Sequence, residues 1–308
     1  HQRRGAHLGR DRGAAGVSWQ LSLLNRHLRW FEKPALARHP VARLRRSFEF
    51  KSKVYFHAPL GNNYRRERLS DVPVQWAQAR AAEAGPVILY LHGGAYVFGS
   101  SDTHRAMLAK LSALTGMRAC LPDYRLAPEH TFPAQIEDAL AVYRALRADH
   151  EVILGGDSAG GALALALLHE VLAQGIAPPR GVFALSPLAD MTFSGASITE
   201  NAARDVLLSP GRIGEMREMF LAGQDPDDPR ASPLRGQYAG APPVWLTVGD
   251  TEILRDDSVR MQAALEAQGV QSVLHVRPDH PHVWPIFHNV LPEARASLRD
   301  LAAWISSL

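Results

Sequence analysis

Short apolar runs alternate with longer amphipathic segments along most of the chain. The runs have the length and near-continuous hydrophobicity of buried strands, and they occupy Val54–Phe56, Val87–Leu91, Met117–Leu121, Val152–Leu154, Val182–Leu185, Val244–Val248 and Val273–Val276. The segments between them are helix-like and lie near 104–115, 133–147, 159–174, 256–268 and 292–306. Apolar strands separated by helices indicate a mainly parallel sheet covered on both faces. The predicted fold class is α/β.

The region near the amino terminus does not follow this alternation. Leu21, Leu24, Leu28 and Phe31 have the spacing of one helix face. The pattern predicts a helix that buries these four side chains and exposes its arginines to solvent.

Residues 190–229 also interrupt the alternation, because they are longer than an ordinary connection between two strands. A Ser209–Pro210 helix start is followed by Ile213, Met216 and Phe220 on one helix face. Such side chains either pack in the core or line a substrate cleft.

Charge is distributed unevenly along the 308 residues, whose net charge is +3. Residues 1–50 contain eleven lysines and arginines against three acidic residues, a net charge of +8, and the remainder carries −5. Arginines near Trp19, Trp30 and Phe31 could serve an anionic membrane surface or a nucleic acid. No nucleic-acid-binding motif accompanies them, so we expect no nucleic-acid partner and interpret the arginines as the solvated side of a helix.

The chain lacks two features that would place it in other classes. Its longest apolar stretch, Ala162–Leu168, is far shorter than the roughly 18 residues of a membrane span, so we expect no stable membrane insertion. The single cysteine, Cys120, allows no intramolecular disulfide and fits a cytoplasmic protein.

The first chemical motif is Gly156–Gly160, with the sequence Gly-Asp-Ser-Ala-Gly, between a predicted strand and a predicted helix. A G-x-S-x-G turn at such a junction holds its serine in a strained, exposed conformation. The serine then lies at a helix amino terminus, where free N–H groups favour a developing negative charge. Ser158 is the candidate nucleophile.

The second motif, His92–Ala95, follows the strand that ends at Leu91. Glycines let the main chain present N–H groups to a carbonyl oxygen that becomes negative during acyl transfer. Gly93, Gly94 and Ala159 are the predicted oxyanion-hole donors.

An acid and a histidine follow in the order that α/β-hydrolases use. Asp250 and Glu252 come after the strand Val244–Val248, and His280 and His282 come after the strand Val273–Val276. The histidine would take the serine proton and later return it to the leaving group, while the carboxylate fixes its tautomer. A two-histidine metal edge is the alternative, but no carboxylate or cysteine spacing completes a site, so we expect no metal.

These motifs together resemble the hormone-sensitive-lipase-like family of carboxylesterases, bacterial family IV of the α/β-hydrolases. The resemblance extends from about residue 18 to residue 308. It rests on His92–Gly94 followed by Tyr96–Ser100, and on Asp123–His130, Gly156–Gly160, Asp227–Pro233 and Pro281–Trp284.

The resemblance implies a mostly parallel eight-stranded sheet with a helical cap, and hydrolysis of carboxylic esters without metal or cofactor. We expect cap helices in residues 1–50 and a catalytic domain in 51–308 that carries a cap insertion at about 190–229. The order of residues 1–17 stays open. The expected reaction is hydrolysis of short-to-medium acyl esters through an acyl-enzyme, and the alternatives are an amidase or deacetylase with the same triad, or a non-catalytic small-molecule receptor.

Two positions depart from the family pattern. Ala95 stands where the family has its third glycine, and its N–H is retained. Counting back from the Leu254–Asp257 run places Glu252, rather than Asp250, at the position of the family's acid. We therefore predict Ser158, Glu252 and His282 as the catalytic residues, with His282 chosen over His280 because it lies in the family's motif.

The pocket and the assembly are predicted less directly. Candidate pocket walls are Trp19, Tyr96, Met216, Met219 and Phe220, each of which is also compatible with simple packing. Similar proteins commonly form homodimers through the final strand and helix. Here Leu298, Leu301 and Trp304 form an apolar face that serves either a dimer or the closure of the sheet.

Overall fold

Eight strands form one sheet at the centre of the computed structural model, which describes residues 17–80, 82 and 85–308. The strands are β1 Asn63–Leu69, β2 Val72–Gln78, β3 Val87–Leu91, β4 Arg118–Pro122, β5 Val152–Asp157, β6 Gly181–Leu185, β7 Val244–Gly249 and β8 Ser272–Arg277. The predicted α/β class is confirmed. The question of order at residues 1–17 lies outside the described residues, except for Val17.

The strand order is β1-β2-β4-β3-β5-β6-β7-β8. β2 pairs antiparallel with β1 and with β4, and every pair from β4 to β8 is parallel. In the register, Leu91 lies opposite Gly156, and Asp157 lies opposite Leu185. The carboxyl ends of β3, β5, β6, β7 and β8 therefore lie at one edge of the sheet, where open α/β sheets bind their ligands.

Ten α-helices cover the described sheet and its entrance. They are α1 Trp19–His27, α2 Lys33–Arg38, α3 Val41–Tyr55, α4 Ser101–Thr115, α5 Ala134–Asp149, α6 Ala159–Ala173, α7 Ser197–Glu200, α8 Pro210–Leu221, α9 Arg255–Ala267 and α10 Pro292–Ser306. None is long and apolar enough to cross a membrane.

Alternate side chains of the central strands enter two separate cores, because successive residues of a strand point to opposite faces. On β3, Leu89 and Leu91 join the core that contains α5 and α6. Ile88 and Tyr90 join the core that contains α4 and α10. The continuous apolar run in the sequence thus reflects burial on both faces.

One predicted strand is wrong, and two strands of the structure were not predicted. The run Val54–Phe56 was expected to be a strand, but α3 continues through Tyr55, five residues past the expected domain boundary at residue 50. Neither β1 nor β2 has a continuous hydrophobic run that would predict it, because β1 is mostly polar and the apolar residues of β2 are interrupted by Pro73 and Gln75. β1 pairs only with β2, in an antiparallel hairpin whose outer strand is largely exposed, and such strands need no continuous apolar sequence.

The amino-terminal helix also differs from its prediction at one end. A π-helical segment, Leu28–Glu32, follows α1, and the Lys33 N–H donates to the Leu28 carbonyl. The wider turn rotates the residues that follow relative to an α-helix. Leu21 and Leu28 are buried as expected, whereas Phe31 is 66% exposed.

Leu21 packs in a small cluster with residues from the far end of the chain, namely Trp284, Leu291 and Ala294. The Ser18 N–H donates to Glu293 Oε1 over 3.0 Å. The first helix is therefore fixed by contacts with the last helix and the turn before it.

The apolar residues of α10 pack inside the protein, against its own sheet and α4. Leu298 and Leu301 are fully buried in the core that contains β3 and α4, and Trp304 packs partly buried against it. Of the two roles expected for this face, closure of the sheet accounts for both leucines.

Substitution of alanine for Gly155 and for Gly214 should change the free energy of unfolding in opposite directions. A Cβ on Gly155 in β5 would lie 2.1 Å from Cζ of the buried Phe183 ring, whereas a Cβ on Gly214 in α8 would meet nothing within 4 Å. We expect Gly155→Ala to lower the free energy of unfolding by about 1–3 kcal/mol through overpacking. Gly214→Ala should raise it by about 0.5–1 kcal/mol through helix propensity. Urea unfolding of both variants measures this, and equal effects of the same sign would contradict the packing at Gly155.

Candidate active site

Ser158 forms a sharp turn between β5 and α6. Its φ of 52° and ψ of −122° are strained for a residue with a side chain. Two glycines make the turn possible, because a Cβ on Gly156 would lie 2.2 Å from the Gly160 carbonyl oxygen and a Cβ on Gly160 would lie 2.0 Å from the Leu91 oxygen. The tight approach of strand and helix leaves the Ser158 side chain at the end of the sheet.

His282 and Glu252 complete a line of hydrogen bonds that begins at Ser158. His282 Nε2 lies 2.9 Å from Ser158 Oγ, and His282 Nδ1 lies 2.7 Å from Glu252 Oε2. The Glu252 carboxylate only accepts, so Nδ1 carries the proton that it donates, and Nε2 is free to accept from the serine hydroxyl. The structure thus brings together the three residues predicted to be catalytic.

Asp250, the alternative acid, lies away from His282. Its side chain is 36% exposed, accepts the Asp279 N–H over 2.8 Å, and lies 3.6 Å from the Arg204 guanidinium. The side chain of His280 contacts the backbone and not Ser158, since its Nδ1 lies 2.7 Å from the Pro278 carbonyl oxygen.

The glycine loop after β3 corrects one predicted oxyanion-hole donor. The Gly93 N–H donates to Asp157 Oδ1 over 3.0 Å and is therefore already occupied. Gly94, with φ 123°, and Ala95, with φ 51°, line the cavity in front of Ser158. Within the described part of the chain, neither N–H of this pair has a hydrogen-bond acceptor. The sequence motif located the loop but could not show which of its N–H groups an aspartate binds.

A cavity of about 900 Å³ opens from Ser158 toward helices α1, α2, α3 and α8. Of the predicted pocket walls, Trp19 and Met216 line it. The wall residues that the sequence did not indicate come mainly from the amino-terminal helices, residues 207–213 and the turn after His282. They include Leu24, Leu28, Leu36, Leu44, Phe48, Phe56, Leu207, Leu208, Val283, Ile286 and Phe287. Ile213, which the sequence placed on one helix face with Met216, also lines the cavity.

Tyr96, Met219 and Phe220 do not line this cavity, contrary to the prediction. The Tyr96 and Phe220 rings stack at 3.9 Å between centroids, and Phe132 packs edge-on against Phe220. Met219 packs partly buried against the core. Helical spacing correctly placed Met216 and Phe220 on one helix face. The Phe220 ring, however, packs against Tyr96 and does not reach the cavity that Met216 lines.

Comparison with known proteins supplies the family. A family model described as the alpha/beta hydrolase fold matches residues 88–286. The chain belongs to the α/β-hydrolase family. An acetyl-hydrolase of Streptomyces hygroscopicus is 38% identical over 235 residues, which cover 75% of this chain and 78% of that protein.

Solved structures also match this chain, and they identify the subgroup of α/β-hydrolases to which it belongs. A crystal structure of EstE5 soaked with ethyl alcohol has a TM-score of 0.90 and 37% identity, covering 94% of this chain and 99% of that one. An esterase from the bacterial hormone-sensitive lipase family has a TM-score of 0.90 and 36% identity, covering 95% and 99%. This α/β-hydrolase is thus a carboxylic ester hydrolase of the hormone-sensitive-lipase group.

Ser186 is a site residue of the hydrolase that sequence reasoning missed. Its hydroxyl donates to Glu252 Oε1 over 2.7 Å and accepts the N–H of Val283, next to His282, over 3.3 Å. The Gly249 N–H donates to the same Glu252 oxygen over 2.6 Å. Ser186 directly follows β6, so it lies at the carboxyl end of a parallel strand. This position was the feature of the sequence that could have indicated Ser186 as a site residue.

Two opposing effects act on the pKa of His282. Burial lowers it, but the hydrogen bond to Glu252 and the negative charges of Glu252, Asp205 and Asp157 together raise the pKa above its usual value. The imidazolium that forms when His282 takes a proton is therefore stabilised inside the protein.

Asp157 connects the serine turn to the glycine loop. Besides the Gly93 N–H, its carboxylate accepts the Tyr90 hydroxyl over 2.8 Å and lies 3.2 Å from His104 Nε2. Burial raises its pKa, but His104 and these hydrogen bonds outweigh burial and keep the pKa below its usual value. Asp157 is therefore an anion that holds the two loops together.

His92 does not compete with His282 as a base. It stacks on Tyr124 with 4.4 Å between ring centroids, and its Nδ1 lies 2.8 Å from the Gly93 carbonyl oxygen. Burial and the neighbouring His104 lower its pKa to about 4. A neutral His92 therefore supports the glycine loop by packing and hydrogen bonding.

The two candidate acids can be separated by a matched pair of substitutions. Glu252→Gln removes the carboxylate that fixes the His282 tautomer, so we expect kcat to fall by about 10³-fold or more. Because the Glu252 charge raises the pKa of His282, the acid limb of kcat/KM should move to lower pH in this variant. Asp250→Asn should change both little. The measurement is ester hydrolysis across pH, and a larger loss in Asp250→Asn would contradict the assignment.

Proposed function

We propose that this esterase hydrolyses short-to-medium acyl esters through an acyl-enzyme on Ser158. The observation that carries the proposal is the unbroken line of hydrogen bonds from Glu252 through His282 to Ser158 at the base of an apolar cavity. A nucleophile, a base and an orienting acid in this arrangement serve acyl transfer.

In the proposed reaction, Ser158 Oγ attacks the ester carbonyl carbon while His282 Nε2 takes the hydroxyl proton. The tetrahedral intermediate then collapses, and His282 gives the proton to the leaving alkoxide, which departs as the alcohol. A water molecule attacks the acyl-enzyme with the same help from His282 and releases the acid. Glu252 remains an anion throughout and stabilises the imidazolium.

We assign the oxyanion hole to the N–H groups of Gly94, Ala95 and Ala159. The first two have no acceptor among the described residues, and Ala159 is the first residue of α6, where an N–H has no partner within the helix. Each such donor stabilises the transition state by roughly 3 kcal/mol. Gly93 contributes indirectly, because Asp157 fixes its position.

The acyl-chain preference follows from the cavity and from a relative. A volume of about 900 Å³ is in the range of small-molecule sites and accommodates an ester of moderate size. The name of the Streptomyces relative, acetyl-hydrolase, supports a short acyl group. The walls are largely apolar, so lengthening the acyl chain should first strengthen binding.

The assembly that we propose rests on the strand order of the sheet, and the location rests on the sequence. A homodimer would use β8, which is the edge strand of the sheet and has no further strand partner within the described residues. The edge strand of an open sheet can accept a strand from a second copy. The single cysteine, Cys120, supports a cytoplasmic location, and the proposal includes no nucleic-acid partner.

The nucleophile and the reaction class can be tested together. We expect release of p-nitrophenol from acyl esters of increasing chain length, with an optimum at short-to-medium chains and no activity above buffer in Ser158→Ala. Hydrolysis that persists in Ser158→Ala would refute the acyl-enzyme on this serine. Inactivity of the parent protein across the series would refute the proposal for simple esters.

The wall of the cavity can be tested by two substitutions on the same helix. Met216→Phe enlarges a side chain that lines the cavity, whereas Met219→Phe enlarges one that packs outside it. We expect the chain-length optimum to move to shorter esters only in Met216→Phe. Equal profiles for the two variants would show that α8 does not limit the acyl site.

A further inference from the structure

The exposed aromatic side chains of this esterase are concentrated on its amino-terminal helices. Trp30, Phe31 and Phe50 are 66–70% exposed. Within the described residues, every exposed Trp, Phe and Tyr lies between residues 17 and 60. Single exposed apolar residues are ordinary, but a concentration of large ones marks an interaction site.

The exposed charges of the same region all have one sign. Its two acids are partly buried and bonded, since Glu32 lies 2.6 Å from Lys51 Nζ and Glu49 accepts the Ser100 hydroxyl. The exposed charged residues between 17 and 60 are Arg26, Arg29, Arg38, Arg43, Arg46 and Lys53. Of these, Arg29 bonds the carbonyls of Ala203 and Arg204, and the other five have no ion pair within the described residues.

Apolar and basic side chains alternate on one side of α3. Arg43, Arg46, Phe50 and Val54 follow each other at intervals of three and four residues and are all exposed, so they share a helix face. The Glu32–Lys51 ion pair ties this helix to the π-helical segment next to Phe31 and Phe50. We call the exposed apolar and basic side chains of residues 17–60 the cap face.

Part of the cap face borders the opening of the substrate cavity. Trp19, Leu23 and Tyr55 are exposed and also line the cavity, as does Val290 from the turn before α10. A surface that touches the cap face would therefore lie at the opening through which an ester reaches Ser158.

We infer that the cap face docks this esterase on an anionic lipid surface. Aromatic side chains settle at the level of the headgroups, and basic side chains around them are attracted to anionic lipids. The charge on the rest of the chain supports this orientation, because residues 51–308 carry −5 and residues 1–50 carry +8. The same positive charge opposes pairing of this face with a second copy of itself.

This docking is adsorption and differs from insertion, which the described helices are too short to provide. It also goes beyond ester hydrolysis, since binding to lipid requires no catalytic step. Ser158→Ala should therefore bind as the parent does, and this variant keeps the lipid intact during a binding measurement.

The test is co-sedimentation of the full chain, as Ser158→Ala, with two kinds of vesicle. One kind is pure phosphatidylcholine, and the other is an equal mixture of phosphatidylcholine and phosphatidylglycerol. We expect at least tenfold stronger binding to the anionic vesicles at low salt, reduced at high salt. Equal or absent binding to the two kinds would overturn the proposal, whatever the result for ester hydrolysis.

Two sets of substitutions then locate the surface. Arg43→Gln with Arg46→Gln should weaken binding to anionic vesicles about 25-fold, at about fivefold for each basic residue. Trp30→Ser, Phe31→Ser and Phe50→Ser together should weaken it by about 100-fold. None of these residues lines the cavity, so in the parent background hydrolysis of a dissolved p-nitrophenyl ester should stay unchanged and show that the variants are folded.

The matched control removes exposed valines outside the cap face, as Val259→Ser with Val276→Ser, and should bind anionic vesicles like the parent. Equal loss in this control would overturn the assignment to the cap face. Sedimentation velocity without lipid tests the alternative that the cap face binds a second copy of the chain. A dimer that the triple apolar variant converts to a monomer, together with no vesicle binding, would show that the cap face joins two copies and would refute lipid docking.

Discussion

The close approach of α6 to the carboxyl ends of β3 and β5 is the constraint on which the rest of the site depends. Backbone of β3 and α6 occupies the space where side chains at residues 156 and 160 would lie. Only glycine permits this contact, and the contact forces Ser158 into a conformation that an isolated chain would avoid. The strain is sustained because both neighbouring strands and the helix are held in a buried core.

Asp157 extends this constraint to the glycine loop after β3. It precedes Ser158 directly, and its carboxylate holds the Gly93 N–H. A movement of the serine turn would therefore move the glycine loop with it. Ser158 and the glycine loop are positioned by one residue, so their separation does not depend on the helices that line the cavity.

Sequence reasoning succeeded where a local pattern determined the outcome. Fewer than ten residues suffice to predict each of β3, β5, β7 and the turn around Ser158. Counting back from Asp257 likewise identified Glu252, the acid that contacts His282. It failed where the outcome depended on a distant partner or a small change of register. Asp157 captures Gly93 from a neighbouring strand, the π-helical segment turns Phe31 outward, and Phe220 is covered by a ring from another loop.

The contact of Leu21 with Trp284 and Leu291 has a consequence for how the protein is made. These partners follow Leu21 in the chain by more than 260 residues, so α1 is synthesised long before them. Until these partners are synthesised, the buried side chain of Leu21 lacks its native cover and is available to chaperones or to other nascent chains. Docking of α1, which contributes Trp19 and Leu24 to the cavity wall, is consequently a late step of biosynthesis.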